Sequence, residues 1–79
     1  MIEYDRHVEV YNSENIESIS YSLESRTMKV RFTTTATYVY YGVEPDIFAT
    51  VIISKDIGKM FYAVVSSKPD TYPYERIDI

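Results

Sequence analysis

The strongest constraint on the fold is residues 16–41, a run with neither glycine nor proline that is rich in Ser, Thr, Tyr, Val and Ile. These residue types favour strands. Within segments 16–24, 27–33 and 36–41, apolar and polar side chains alternate, so each segment is predicted to be a strand with one apolar face. The apolar positions of the first two segments are Ile19, Tyr21, Leu23, Met28, Val30 and Phe32. The run predicts an antiparallel meander with a core face and a polar face.

The second half of the chain changes to a helical pattern after Gly42. Residues 44–53 are predicted to form a helix that begins at Pro45, because proline is favoured at the first helical position. Residues 54–67 predict a second helix, with Ser54 or Asp56 as its N-cap. Its apolar stripe consists of Ile57, Phe61, Val64 and Val65.

Both ends of the chain have extended patterns. Residues 71–79 contain Pro73, which confines a strand to an edge of the sheet. Residues 1–12 predict either an extra edge strand or a flexible arm. The expected fold is α+β: a small antiparallel meander of about three to five strands, with two short helices between the third strand and a C-terminal extended segment.

Size and charge narrow the functional classes. A chain of 79 residues is expected to form one domain, and the absence of cysteine excludes disulfides and thiolate metal sites. The formal net charge is −4 and the lysines and arginines are scattered, which disfavours non-specific binding to phosphate backbones. The longest apolar run, 47–53, is too short for a membrane span, and the N-terminus has no basic segment followed by an apolar one. We therefore expect a cytoplasmic protein with no membrane partner.

Several stretches resemble the KTSC domain, a short family found at the C-terminus of some lysyl-tRNA synthetases and as stand-alone proteins. The resemblance covers about residues 13–77 and begins in "SENIESISYSLESRTMKVRF". The family's Tyr-x-Tyr signature is matched by Tyr38 and Tyr40, and its Tyr-x-Tyr ending by Tyr72 and Tyr74. Further matches are Val43, Ile47, Phe48, the segment "DIGKMF" with Phe61, and Ile77.

The resemblance implies the α+β fold and, from the synthetase context, RNA or nucleotide binding. It also marks a set of aromatic residues as a core signature. They are Tyr38, Tyr40, Phe61, Tyr72 and Tyr74. Because Tyr38 and Tyr40 share one strand face, core packing is favoured for this pair, and the alternative is an exposed platform on which a base stacks. Where many members carry Asn and a basic residue after that Phe, this chain has Tyr62 and Ala63.

Four residues are candidate ligand contacts: Lys29, Arg31, Tyr41 and Lys59. The alternation places Lys29 and Arg31 on the polar face, beside hydroxyl side chains and Tyr41 on the neighbouring strands. Cationic donors, hydroxyls and an aromatic ring together suit a phosphate or a nucleotide. The alternative is an ordinary solvated sheet face, whose charges discourage aggregation at the edges.

Catalytic and metal-binding patterns are poorly represented. His7 is the single histidine, and with Asp5 and Glu9 it forms an alternating polar set that suits either a metal ion or plain surface decoration. There is no glycine-rich phosphate loop. We expect a non-enzymatic protein without a cofactor or a bound metal.

Two further interpretations remain open. An acidic, tyrosine-rich chain of this size without disulfides gains stability from association, which favours a protein–protein interaction module or a homo-oligomer. A stand-alone chain this small is also compatible with a phage or mobile element that sequesters a host factor.

Overall fold

Residues 2–34 and 36–77 are described by the computed structural model of the chain. Along them lie five strands, two α-helices and one π-helical segment. The strands are β1 (Arg6–Glu9), β2 (Ile16–Ser22), β3 (Thr27–Phe32), β4 (Thr37–Tyr40) and β5 (Tyr74–Arg76). The helices are α1 (Pro45–Ile52) and α2 (Ile57–Phe61), and α2 continues directly into the π-helical segment Tyr62–Ser66.

The strands form one antiparallel sheet in the order β1-β2-β3-β4-β5. The three strands predicted in the first half are β2, β3 and β4, and both helices lie between β4 and β5. The predicted α+β meander is therefore confirmed. The N-terminal segment forms the edge strand β1, and β5 begins directly after Pro73 at the opposite edge, as the missing proline N–H requires.

Both helices pack against one face of the sheet. The sheet contributes Ile19, Tyr21, Met28, Val30 and Tyr40 to the core, and the helices contribute Phe48, Val51, Ile57, Phe61 and Val65. The alternating apolar residues of β2 and β3 thus belong to the same core cluster as residues of the helical stripe that begins at Ile57. Tyr21 links the two layers directly, because its ring stacks on Phe48 of α1 with centroids 4.5 Å apart.

The Tyr21 hydroxyl also fixes the chain segment that leads into α1. It donates a 2.6 Å hydrogen bond to the carbonyl oxygen of Val43, a fully buried residue. The residue before Val43 is Gly42, which has φ +72°, a left-handed conformation that glycine adopts without strain. Gly42 therefore turns the chain from β4 toward α1, and Tyr21 holds the turned segment in place.

Strand β2 departs from simple alternation at both ends. Ile16 pairs with Phe32 and Ser18 pairs with Arg31, so Glu17 is the extra residue of a β-bulge. The placement of Leu23 on the core face was wrong, because β2 ends at Ser22 and Leu23 is exposed. Leu23 instead opens the four-residue connection to β3, in which Arg26 has φ 53°.

Helix α2 begins where Asp56, one of the two predicted caps, accepts a 3.0 Å hydrogen bond from the Lys59 N–H. Gly58 follows in the first turn, and a Cβ atom there would lie 2.6 Å from Ser13 Oγ. Glycine at this position therefore permits the close approach of α2 to the segment between β1 and β2. The switch to π-helical geometry at Tyr62 was not predicted from the sequence.

We expect Tyr21→Phe to lower the free energy of unfolding by about 1–3 kcal/mol, because it leaves the buried Val43 carbonyl without the phenol donor. Denaturant unfolding followed by circular dichroism measures the change. The matched control is Tyr11→Phe, because Tyr11 is 92% exposed. Equal stabilities of the two variants would contradict the assigned role of the Tyr21 hydroxyl.

Candidate functional site

The sheet face opposite the helices, here called the outer face, brings several predicted contacts together. In the strand register, Lys29 is opposite Ser20, and Arg31 is opposite both Ser18 and Thr37. Tyr41 directly follows β4 and reaches Glu75 of β5 on this face. The predicted grouping of Lys29 and Arg31 with hydroxyls and Tyr41 is therefore present in the fold.

The charged and aromatic groups of the outer face are engaged within the chain. Lys29 Nζ lies 4.6 Å from the centroid of the Tyr4 ring, a cation–π contact. Arg31 Nε is 3.8 Å from Glu17 Oε2, and both side chains are exposed, so this pair contributes little to stability. The Tyr41 hydroxyl donates a 2.7 Å hydrogen bond to Glu75 Oε1. That bond, with burial and the carboxylate charge as smaller causes, raises the pKa of the Tyr41 phenol.

The hydroxyls of Ser18 and Ser20 on the outer face are not open to solvent, although the Arg31 side chain beside them is exposed. Ser18 and Ser20 are buried, because each lies between longer side chains of the two neighbouring strands. Ser20 Oγ is 2.8 Å from His7 Nδ1, and His7 Nε2 is 3.3 Å from Glu9 Oε1. This Ser–His–Glu chain was missed in the sequence, where the cross-strand register is not visible.

The Ser20–His7–Glu9 chain lacks the access that a catalytic triad needs. Ser20 is only 5% exposed, and its strand is paired with β1 and β3 on both edges. The third member of the predicted metal set, Asp5, turns away and accepts a 3.1 Å hydrogen bond from the Leu23 N–H. That hydrogen bond is the main cause of the lowered pKa of Asp5. Within residues 2–34 and 36–77, no three His, Cys, Asp or Glu side chains form a metal-binding group.

Lys59 lies apart from the other three predicted contacts. It belongs to α2, on the helix side of the sheet, and lines a polar hollow with Asn12, Glu14 and Asp56. The outer face carries Lys29, Arg31 and Tyr41. The four residues therefore do not form one site.

The five aromatic residues of the core signature divide into two groups. Tyr40, Phe61 and Tyr72 are buried, as the resemblance implied. Tyr38 is half-buried, and the placement of Tyr74 in the core was wrong, because this residue is 53% exposed. The reason is its strand: β5 is a three-residue edge strand whose residues are all exposed.

Tyr38 and Tyr74 form the wall of an open cleft of about 420 Å³ between the end of the sheet and the C-terminal end of the helices. We call this site the tyrosine cleft. It is lined by Phe32, Tyr38, Tyr40, Ser66, Pro69 and Tyr74, with Thr34 and Ala36 from the β3–β4 connection.

The rings of the cleft support one another. The centroid of Tyr74 is 5.7 Å from that of Tyr38 and 5.6 Å from that of Tyr40. Tyr40 packs edge-on against Phe61 of α2 at 5.2 Å, so the cleft wall rests on the core. Burial raises the pKa of the Tyr40 phenol, and its hydrogen bond with the Ser66 side chain acts in the opposite direction. The cleft thus presents aromatic surface that packs on the core, together with hydroxyl groups.

The sequence contained part of the signal for this cleft. The spacing of Tyr38 and Tyr40 placed both rings on one face, and the register puts Tyr74 directly opposite Tyr40. The pairing of β4 with β5 and the return of Ser66 and Pro69 toward the sheet depend on the tertiary fold. For that reason the residues were assigned to the core rather than to a cleft.

The fold and the cleft define a class of small α+β domain: a five-stranded antiparallel meander whose two helices precede the last strand and cover one face. The family model of the KTSC domain matches residues 12–68, and the chain belongs to the KTSC domain family. The resemblance noted in the sequence is confirmed.

Two relatives and one solved structure are similar to this chain over most of its length. The chain is 32% identical to an uncharacterised protein of Stutzerimonas stutzeri over 66 residues, which cover 84% of this chain and 90% of that protein. It is 30% identical to a protein of Tsukamurella paurometabola over 56 residues, 71% of this chain and 84% of the other. The crystal structure of a KTSC domain protein from Yersinia pestis superposes with a TM-score of 0.82 at 25% identity and covers 92% of this chain and 97% of its own. Among the described residues, no helix is long and apolar enough to cross a bilayer.

We expect Glu75→Gln to lower the pKa of the Tyr41 phenol toward its ordinary value, because the carboxylate that accepts its proton is removed. In the wild type, the pKa of the Tyr41 phenol is higher in the folded than in the unfolded state. The bond therefore contributes fully to stability below the unfolded-state pKa of about 10, and this contribution is lost as the pH rises through the folded-state pKa. NMR titration of the Tyr41 ring carbons measures the pKa. Glu9→Gln, at the far edge of the same face, is the charge-matched control. An unchanged Tyr41 pKa in Glu75→Gln would show that the pair does not form in solution.

Proposed function

We propose that this KTSC domain is a non-catalytic protein-interaction module that holds an extended peptide segment of a partner protein in the tyrosine cleft. The observation that carries the proposal is the open aromatic wall formed by Tyr38 and Tyr74. A tyrosine that is 53% exposed and held by two neighbouring rings offers apolar area at a small cost in side-chain entropy.

The chemistry of the lining favours a peptide over a phosphate-bearing ligand. Among the residues that the structure describes, the cleft is lined by aromatic rings, Pro69, Ala36 and the hydroxyls of Thr34 and Ser66, and none of these lining residues is charged. Peptide backbones suit such a surface, because their carbonyls accept hydrogen bonds from hydroxyls while their side chains pack on the rings. The net charge of −4 opposes the approach of a polyanion.

The second candidate is single-stranded RNA or a nucleotide, as the family resemblance implies. It is favoured by the aromatic wall, which suits a stacked base, and by Lys29 and Arg31 on the outer face. These cations lie across the sheet from the cleft, so a base stacked on Tyr74 cannot place its own phosphate against them. On the face of the cleft itself, the register places Arg76 opposite Tyr38.

Selection from a displayed library of random decapeptides tests the proposed function. Enriched peptides are expected to bind Tyr74→Ala about tenfold more weakly than the wild type, because truncation removes an aromatic contact in the ligand site. Tyr41→Ala, a matched tyrosine truncation on the outer face, is expected to leave their affinity unchanged. Fluorescence anisotropy gives the dissociation constants.

The contrary results separate the remaining interpretations. Enriched peptides that bind Tyr74→Ala and the wild type equally would overturn the cleft as their site. No enrichment, together with oligouridine binding that falls steeply with salt, would favour the nucleic-acid candidate. Concentration-dependent mass in light scattering that disappears in Tyr74→Ala would identify a second copy of the chain as the occupant.

A further inference from the structure

The tyrosine cleft is the first of three depressions beside α2 and the π-helical segment, and each depression shares lining residues with the next. It adjoins a hollow of about 150 Å³ that shares Phe32 and Ser66 with it. That hollow in turn shares Asn15, Gly58 and Tyr62 with the polar hollow of about 590 Å³ that contains Lys59. We call these three connected depressions the helix-side groove.

We propose that the helix-side groove binds a proline-rich segment in the polyproline II conformation, with its apolar residues in the tyrosine cleft and a cationic side chain at the polar end. This inference rests on the proposed function and deepens it, because it names the conformation, the charge and the direction of the ligand along the groove.

The shape and lining of the groove carry the conformational part of the proposal. The helical segment from Ile57 to Ser66 spans ten residues, or about 15 Å at 1.5 Å per residue. A polyproline II segment rises about 3.1 Å per residue, so about five ligand residues cover that length. An exposed tyrosine lies at each end of the groove. Tyr74 lies in the cleft, and Tyr62, which is 65% exposed, lies at the polar hollow. Aromatic-lined grooves of this kind bind polyproline II segments because the ligand is already rigid before it binds.

The charges of the polar hollow support a cationic side chain at that end of the ligand. The polar hollow is lined by two carboxylates, Glu14 and Asp56, against one ammonium group, Lys59. All three belong to exposed residues. In a chain of net charge −4, this end of the groove attracts a cation rather than a phosphate.

Three labelled decapeptides test the conformation and the charge. The first consists of eight prolines followed by two arginines, the second has glutamines in place of the arginines, and the third has a Gly-Ser repeat in place of the prolines. We expect the first to bind most tightly, because it alone combines a preformed extended backbone with the cationic end. The affinity of the arginine peptide is expected to fall as the salt concentration rises, whereas the affinity of the glutamine peptide is expected to stay constant.

Variants that change one charge of the protein test whether the arginines of the peptide bind in the polar hollow. Glu14→Gln and Asp56→Asn are each expected to weaken the arginine peptide by about two- to fivefold and to leave the glutamine peptide unchanged. Asparagine retains an acceptor for the helix cap, so Asp56→Asn changes the charge with little effect on α2. Lys59→Gln is expected to tighten the arginine peptide by a similar factor. The matched control is Glu24→Gln, in the β2–β3 connection.

The sign of the Lys59→Gln effect separates the two ligand classes, because the same change weakens an oligouridine decamer if that ligand occupies the groove. If the arginine and glutamine peptides bind the wild type equally and Tyr74→Ala weakens both, this inference is overturned and the proposed function still stands. Equal affinities of the proline and Gly-Ser arginine peptides would overturn the polyproline II conformation. Failure of all three peptides, with library peptides still bound in the cleft, would overturn the inference alone.

Discussion

The contact between Tyr21 and the segment 43–48 determines how the two layers of the protein are joined. Tyr21 lies in β2, a strand paired on both edges, so its ring projects from a fixed part of the sheet. Stacking on Phe48 positions α1, and the hydrogen bond to Val43 positions the chain that enters it. One side chain therefore joins the sheet to the α1 region by both an apolar and a polar contact, so a small core needs few residues to hold its two layers together.

The position of α1 also determines where the tyrosine cleft lies. Helix α2 packs on α1 and carries Phe61 against Phe32 and Tyr40. The chain then reaches Ser66 and Pro69, which close the cleft opposite Tyr38 and Tyr74. The cleft is accordingly built by the layer packing, and its ring wall is continuous with the core. Rings that pack on the core in this way are already ordered, and this is the physical basis of the proposed role of the cleft.

The sequence predicted the strands, the helix starts and the two faces of the sheet because each of these depends on spacing within a short segment. Lys29 and Arg31 were placed correctly beside the serines of β2 by alternation alone. The errors have a common cause. Leu23 follows the alternation yet lies beyond the end of β2, and Tyr74 belongs to a family pattern yet lies on an edge strand. Whether an aromatic side chain is buried or lines a cleft depends on what the rest of the fold places over it, and periodicity does not contain that information.

Charge is distributed differently on the two sides of the sheet. On the outer face, Glu17 lies near Arg31 and offsets part of its charge, whereas the ammonium of Lys29 lies over the uncharged Tyr4 ring. On the helix side, the described lining residues of the cleft carry no charge, and those of the polar hollow include two carboxylates and one ammonium group. The departure from the family pattern at Tyr62 falls in this same groove and adds aromatic surface there. The carboxylates of the polar hollow and the ring of Tyr62 are therefore the features on which the proposed preference of the helix-side groove for apolar and cationic groups rests.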